Sequence, residues 1–278
     1  MKRLLVATDL TPRSERALAR ALIVARSIDA EVRVLHVVDA ELPAALGARQ
    51  RADAEEEIGR QIAALGGEDL EPRIEVVLGH SVTSVVAAAQ ACRADLLVLG
   101  AQRQSPLKDI FVGGIPERLV RLAACPVLVV RDAPEGPYQR MLAAVDFSER
   151  SRAAVSFAAK LQPKTPLSML YVYDMPYSGL ASLSEQADDA ADLEQRLHDL
   201  LAPEKRAFLD ALGALGRRIP LTVRAGRVLT VLAEEIARQN VDLLVAGTHS
   251  RGGVARLLLG SVAGELIRRP PCDVLVVP

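Results

Sequence analysis

The stretch "RLLVATDLT" (3–11) joins a short apolar run to a turn, and this junction decides the fold. Residues 4–8 have the length and composition of a buried strand. Thr11 followed by Pro12 is typical of a helix start, with Thr at the N-cap and Pro in the first turn. The residues that follow repeat apolar side chains at helical spacing. A buried strand that passes directly into a helix favours a parallel sheet covered on both faces.

The chain repeats itself once, because three blocks of the first half recur in the same order in the second half. The pairs are "RLLVATDLT" (3–11) and "RMLAAVDFS" (140–148), "ADLLVLGAQ" (94–102) and "VDLLVAGTH" (241–249), and "ACPVLVV" (124–130) and "PCDVLVV" (271–277). The second copy is longer between its first two blocks. We assign the extra residues to the Ala-, Asp- and Glu-rich stretch 184–201, which we predict to be helical.

The repeat predicts two domains, residues 1–131 and 140–278, joined by the Pro- and Gly-containing linker 132–139. In each copy, continuous Val and Leu runs alternate with helical patterns. With right-handed crossovers, this order predicts two tandem doubly wound α/β domains. Each would hold a five-stranded parallel sheet with helices on both faces.

The last strand of each copy, residues 127–130 and 274–277, has the apolar pattern of an edge strand. Exposed strand edges pair readily. We therefore expect these two strands to meet, as an intramolecular pseudo-dimer, as a homodimer of two chains, or as both.

Composition excludes several function classes. The net charge is −1, there is no Trp, and aromatic residues make up 3% of the chain, so the sequence offers neither the positive field nor the stacking surfaces of a nucleic-acid-binding protein. No apolar run approaches the length of a membrane span. The three cysteines have no metal-like or CxxC spacing. We expect a reduced cytoplasmic protein without a structural metal.

In an open parallel sheet, ligands bind beyond the carboxyl ends of the strands, where the strand order reverses. After the first strand of each copy this places Asp9 and Asp146 at the site, and after the second strand Val37 and Val172. After the fourth strand of the second copy comes "GTHSRGGVARLLLGSV" (247–262). Its Gly260 and Ser261 open the last helix, whose unpaired N–H groups suit a phosphate.

These residues resemble the universal stress protein family, in which the nucleotide-binding pattern is G-x2-G-x9-G-[ST] with an Asp after the first strand. In the second copy Gly247, Gly260, Ser261 and Asp146 match that pattern, and Ser250 stands where the family has Gly. The resemblance covers nearly the whole chain. It implies a fold of the adenine-nucleotide alpha-hydrolase-like type, ATP bound in some members, and dimers formed through the last strand.

The resemblance assigns the nucleotide mainly to the second copy. The predicted contacts there are Asp146, Val172, Gly226, Gly247, Thr248, Ser250, Gly260, Ser261 and Val262. The weaker set in the first copy is Asp9, Val37, Gly100, Arg103, Gly113 and Gly114. It is weaker because Arg103 replaces a Gly and Gly114 replaces the hydroxyl residue. Pro116 also removes an N–H group near the helix start.

The resemblance implies a stress-response, ATP-binding regulatory protein that acts through a protein partner of unknown identity. Mg²⁺ would arrive with the nucleotide, since no carboxylate cluster predicts a metal site. Two other functions stay open at this stage: a ligand-free scaffold whose glycines serve only as turns, and a slow ATP hydrolase or self-phosphorylating protein. No GxxxxGK[ST] motif is present, and the second site has no lysine, which argues against an efficient hydrolase.

Overall fold

The computed structural model describes residues 1–102, 114–173, 190–248 and 259–278, with the backbone alone described for 190–198. The first half forms alternating strands and helices. These are β1 (Arg3–Thr8), α1 (Pro12–Ile28), β2 (Glu31–Asp39), α2 (Ala44–Ala64), a 3₁₀ turn (Glu68–Leu70), β3 (Arg73–Gly79), α3 (Ser81–Ala91), β4 (Leu96–Gly100), α4 (Ile115–Leu122) and β5 (Val127–Val130).

In its described residues, the second half repeats this order without the 3₁₀ turn and with one short additional helix. Its elements are β6 (Met141–Val145), α5 (Glu149–Leu161), β7 (Leu167–Tyr173), α6 (Ala190–Leu212), α7 (Ala214–Arg218), β8 (Leu221–Ala225), α8 (Val228–Gln239), β9 (Leu243–Gly247), α9 (Ser261–Arg268) and β10 (Asp273–Val277). The helix predicted over 184–201 is present from Ala190 onward, and 184–189 lie outside the described residues. No helix within the described ranges is long and apolar enough to cross a membrane.

The ten strands of the described residues form one sheet in the order β3-β2-β1-β4-β5-β10-β9-β6-β7-β8. Within each half every neighbouring pair is parallel, which confirms the doubly wound α/β prediction. The strand order reverses between β1 and β4 in the first half and between β6 and β9 in the second. These two positions are where a ligand is expected in such a fold.

The two halves meet through the last strand of each, β5 and β10, which pair antiparallel. Val127, Leu128 and Val129 lie opposite Val276, Leu275 and Val274. The expectation that these strands meet is thus confirmed within one chain, while association of two chains stays a prediction. The pairing removes what would otherwise be an exposed edge on each half-sheet.

Each face of the sheet buries its own apolar core, and each core runs through both halves. Leu4 and Val6 of β1 point to one side, against α1 and α2, whereas Leu5 points to the other side, against α3 and α4. Successive strand side chains alternate between faces, so a strand covered on both faces has to be apolar throughout. This explains the unbroken Val and Leu runs of the sequence.

A buried polar cluster ties the linker to both halves. The Asp273 carboxylate in β10 accepts hydrogen bonds from Tyr138 Oη (2.7 Å), Arg20 Nε (3.2 Å) and the backbone N–H of Arg131 (2.9 Å). Arg20 of α1 also donates to the Gly136 carbonyl (2.6 Å), and its guanidinium lies 4.0 Å from the Tyr138 ring centre. Burial raises the pKa of the Asp273 carboxyl although its donors act in the opposite direction.

Because Arg20 and Asp273 belong to different halves, their ion pair stabilises the interface directly. Arg20→Ala leaves the Asp273 carboxyl buried without its cation. We expect a loss of about 3–5 kcal/mol in the free energy of unfolding, measured by urea denaturation. The matched control is Arg26→Ala, which breaks the exposed ion pair with Asp69 and should cost less than about 1 kcal/mol. Equal losses in the two variants would contradict this role for the buried pair.

Candidate functional site

A cleft of about 350 Å³ opens at the carboxyl ends of β6 and β9, where the strand order of the second half reverses. This volume lies within the usual range of small-molecule sites, about 300–1,000 Å³. The cleft is lined by Ala144, Val145, Asp146, Ser151, Leu170, Tyr171, Val172, Val228, Leu232, Ala246, Gly247, Thr248, Gly260, Ser261, Val262 and Ala263.

Asp146 brings a buried carboxylate oxygen to this cleft. Its Oδ1 accepts a hydrogen bond from the backbone N–H of Ser148 (3.0 Å), in the turn that leads into α5. Its Oδ2 is buried and has no hydrogen-bond partner within the described part of the chain. A buried, unsatisfied carboxylate oxygen costs free energy, so this oxygen is suited to accept donors from a ligand.

The backbone that holds Asp146 in place is strained at the next residue. Phe147 has φ of 63°, in the left-handed region that costs a side-chain-bearing residue roughly 1–2 kcal/mol. Its ring is buried and stacks on Tyr171, with ring centres 4.3 Å apart, and it also contacts Phe208. Packing of this ring offsets the strain and fixes the turn. In the first half, Leu10 repeats the same left-handed conformation, with φ of 62°.

The opposite side of the cleft is the start of α9. The Gly260 N–H donates to the Thr248 carbonyl (2.8 Å), and the Thr248 N–H donates to the Val277 carbonyl (3.0 Å). These two bonds fix both ends of the loop between β9 and α9. Within the described residues, no hydrogen bond occupies the N–H groups of Ser261 and Val262, in the first turn. Such a helix N-terminus attracts anions through its N–H groups and its dipole.

The two glycines that end β9 and β4 have a packing role of their own. A Cβ on Gly247 would lie 3.1 Å from the backbone carbon of Arg150 at the start of α5. A Cβ on Gly100 would lie 2.7 Å from the carbonyl oxygen of Arg13 at the start of α1. In each half, the first helix approaches the fourth strand closely, so closely at Gly100 that a Cβ would overlap the backbone of α1. The match of these glycines to the family pattern therefore has a structural cause besides ligand contact.

Most residues predicted for the second site do come together. Asp146, Val172, Gly247, Thr248, Gly260, Ser261 and Val262 all line the cleft. Gly226 does not, and its φ of 136° explains why glycine is needed there. Ser250 lies outside the described residues.

Sequence reasoning missed the apolar wall of the cleft, which includes Leu170, Val228 and Leu232. Of these three residues, Leu170 could have been predicted from the alternation of side chains along β7. Because Leu170 and Val172 lie two positions apart on the same strand, they point to the same face.

The first half has a corresponding cleft of about 270 Å³, lined in part by Asp9, Val37 and Gly100. Arg103 and Gly113, predicted for this site, lie outside the described residues, and Gly114 does not line the cleft. Asp9 Oδ1 accepts hydrogen bonds from the backbone N–H of Thr11 (3.1 Å) and from its hydroxyl (2.6 Å). Burial acts to raise the pKa of Asp9, but hydrogen bonds from Thr11 and Ser14 outweigh it and lower the pKa.

The start of α4 in the first half differs sharply from the start of α9. The Gly114 N–H donates to the Glu117 carboxylate (2.6 Å), and the Ile115 N–H donates to Gln102 Oε1 (3.1 Å). Pro116 has no N–H group. The first donors of this helix are therefore already satisfied by the protein, and Glu117 adds a buried negative charge. That charge is paired with Arg268 of α9 at 3.6 Å.

Within the described residues, no group of three or more His, Cys, Asp or Glu side chains could hold a metal ion.

The family model described as universal stress protein family matches the chain twice, over residues 1–131 and 137–278. The chain belongs to the universal stress protein family. A universal stress protein of Mycobacterium tuberculosis is 27% identical over 271 residues, which cover 87% of this chain and 85% of that protein. One from Methanocaldococcus jannaschii is 30% identical over 142 residues, covering 47% of this chain and 82% of that protein.

Solved structures show the same architecture over the whole chain. A universal stress protein from Archaeoglobus fulgidus superimposes with a TM-score of 0.70 at 20% identity, covering 99% of this chain and 97% of that chain. A functionally unknown protein from Pseudomonas aeruginosa gives a TM-score of 0.64 at 20% identity, covering 100% and 92%. At this level of identity, the similarity establishes the tandem universal stress protein fold.

The close approach of α1 to Gly100 and of α5 to Gly247 predicts how much stability each glycine loses when it is replaced by alanine. Gly100→Ala places a methyl group against backbone atoms that cannot move aside, so we expect a loss of about 1–3 kcal/mol of stability. Gly247→Ala should lose less stability, because the distances from its added methyl group to the neighbouring atoms are longer. Gly59→Ala in α2 meets open space and should stabilise by up to about 1 kcal/mol. Chemical denaturation measures the free energy of unfolding of the three variants. A Gly100→Ala variant as stable as the wild type would contradict the prediction.

Proposed function

We propose that the second half of this universal stress protein binds an adenine nucleotide, ATP, and acts as a stress-response regulatory protein in the cytoplasm. The supporting observation is that one cleft is lined by an unsatisfied hydrogen-bond acceptor and by unsatisfied hydrogen-bond donors. One is the buried Oδ2 of Asp146, and the other is the N-terminus of α9. A ligand that satisfies both has hydrogen-bond donors at one end and an anion at the other, as a nucleotide does.

Each part of the cleft would hold a different part of the nucleotide. Leu170, Val172 and Leu232 provide an apolar surface for the base. Asp146 accepts hydrogen bonds from the amino or hydroxyl groups of the adenosine. The N–H groups at Ser261 and Val262, together with the Ser261 hydroxyl, hold the phosphates. Mg²⁺, where present, is bound by the phosphates.

Binding without efficient turnover fits the described part of the cleft. Apart from Tyr171, Asp146 is the only ionisable side chain that lines it in that part. Transfer of a phosphoryl group normally requires cations that stabilise the developing charge. We therefore propose that nucleotide occupancy, rather than hydrolysis, is what a regulatory partner recognises.

Asp146→Asn tests the adenosine end of the cleft. Loss of the charged acceptor should weaken ATP binding by about ten- to a hundredfold, since hydrogen bonds to charged groups contribute about 1.5–3 kcal/mol. The measurement is isothermal titration calorimetry with Mg²⁺-ATP on nucleotide-free protein. Asp9→Asn is the matched control, because it makes the same change in the first half and should leave the affinity unaltered. An equal effect of both variants would contradict the assignment to the second half.

Gly260→Val tests the phosphate end. The added side chain blocks the approach of a phosphate to α9, so we expect no detectable ATP binding. The fold should persist, since the backbone there has φ of −57°, which valine adopts readily. Wild-type protein should bind one ATP per chain, because the start of α4 in the first half is satisfied internally. Two ATP per chain, unchanged affinity in Gly260→Val, or steady accumulation of ADP would contradict the proposal.

A further inference from the structure

A second large cavity lies at the opposite end of the strands from the candidate nucleotide cleft. We call it the basic groove, and its volume is about 660 Å³. It runs across the amino ends of β6, β7 and β8. It is lined by Arg140, Met141, Ala159, Gln162, Pro163, Lys164, Thr165, Pro166, Leu167, Ser168, Arg218, Ile219, Pro220, Arg238 and Gln239.

Four cations and no carboxylate line this groove in the described part of the chain. Arg238 is paired with Glu235, and Arg140 donates to the Gln239 carbonyl (2.7 Å), which holds its guanidinium without neutralising it. Lys164 and Arg218 are exposed and have no ion-pair or hydrogen-bond partner within the described residues. The groove therefore has a local positive charge in a chain whose net charge is −1.

The neutral groups of the groove point to the kind of anion. Gln162 donates to Ser27 of α1 (2.9 Å), and the Thr165 hydroxyl donates to the Tyr138 carbonyl (2.9 Å), so these side chains serve the protein itself. Three of the remaining lining residues are the exposed prolines Pro163, Pro166 and Pro220, which have no N–H group. Prolines therefore contribute no backbone donors of the kind that form a phosphate-binding nest. This surface offers cationic side chains together with rigid apolar proline rings.

One turn that borders the groove differs in charge between the two halves. The turn from α5 into β7 contains Lys164. The equivalent turn from α1 into β2 contains Asp29, with Glu31 beginning the strand, and both are exposed. Two copies of one fold thus carry opposite charges in this turn, so the fold does not require the charge of Lys164.

We infer that the basic groove is a docking surface for an acidic peptide segment of a partner protein. Lys164 and Arg218 pair with carboxylates of the peptide, and the prolines contact apolar side chains between them. Arg is suited to this because its planar fork matches a carboxylate. Charge complementarity of this kind accelerates association and makes it sensitive to salt.

The test uses a fluorescein-labelled peptide of alternating Glu and Ala, with fluorescence anisotropy as the measurement. Full-length protein should bind it at low salt, and binding should weaken as salt rises. Lys164→Glu/Arg218→Glu should reduce the affinity by at least about tenfold. The matched control is Arg49→Glu/Arg60→Glu on α2, which makes the same change in net charge at exposed sites and should bind as the wild type does.

The inference would be overturned by unchanged affinity in the groove variant, by equal weakening in the control variant, or by binding of a Lys-Ala peptide with similar affinity. Displacement of the peptide by inorganic phosphate at equal ionic strength would also overturn it, because the site would then be one for a small anion. Mg²⁺-ATP titrations of both variants should match the wild type. Failure of the docking inference is therefore separable from failure of the nucleotide proposal.

Discussion

The antiparallel pairing of β5 with β10 is the interaction on which the rest of the structure depends. It joins two parallel half-sheets into one sheet of ten strands and makes the apolar core on each face continuous across both halves. Asp273, at the start of β10, accepts donors from α1, from the linker and from the end of β5. One buried carboxylate of β10 thus contacts α1 and the end of β5 with the linker that follows it, which are distant from β10 in sequence.

The two clefts of this common sheet differ at the start of the helix that follows the fourth strand of each half. In the second half, the first turn of α9 offers N–H groups to the cleft. In the first half, Gln102, Glu117 and Pro116 satisfy or remove the corresponding donors of α4. Neither Gln102 nor Glu117 belongs to the family's nucleotide pattern. They nevertheless change the start of α4, because donors that the protein already satisfies are not offered to a ligand.

The fold could be predicted from the sequence almost completely, because a buried parallel strand has to be apolar throughout and the repeat shows each strand twice. The site was harder to predict. Asp146, Gly260 and Ser261 follow from strand ends and helix starts, but the role of Gly247 and Gly100 in helix packing depends on distances between segments far apart in the chain. Gly226 was predicted from its position after a strand, but it does not line the cleft, and its φ of 136° requires glycine there for the backbone itself. The internal capping of α4 involves side chains whose partners no periodic pattern specifies.

The reversal of strand direction at the β5–β10 junction places the carboxyl ends of the two half-sheets on opposite sides of the molecule. The carboxyl ends of the first five strands lie on the same side as the amino ends of the last five. The first-half cleft and the basic groove therefore share one side, and the second-half cleft opens on the other. A protein approaching the groove would leave the second-half cleft facing away from it. Any signal between the two sides has to pass through the sheet and its helices rather than through direct contact.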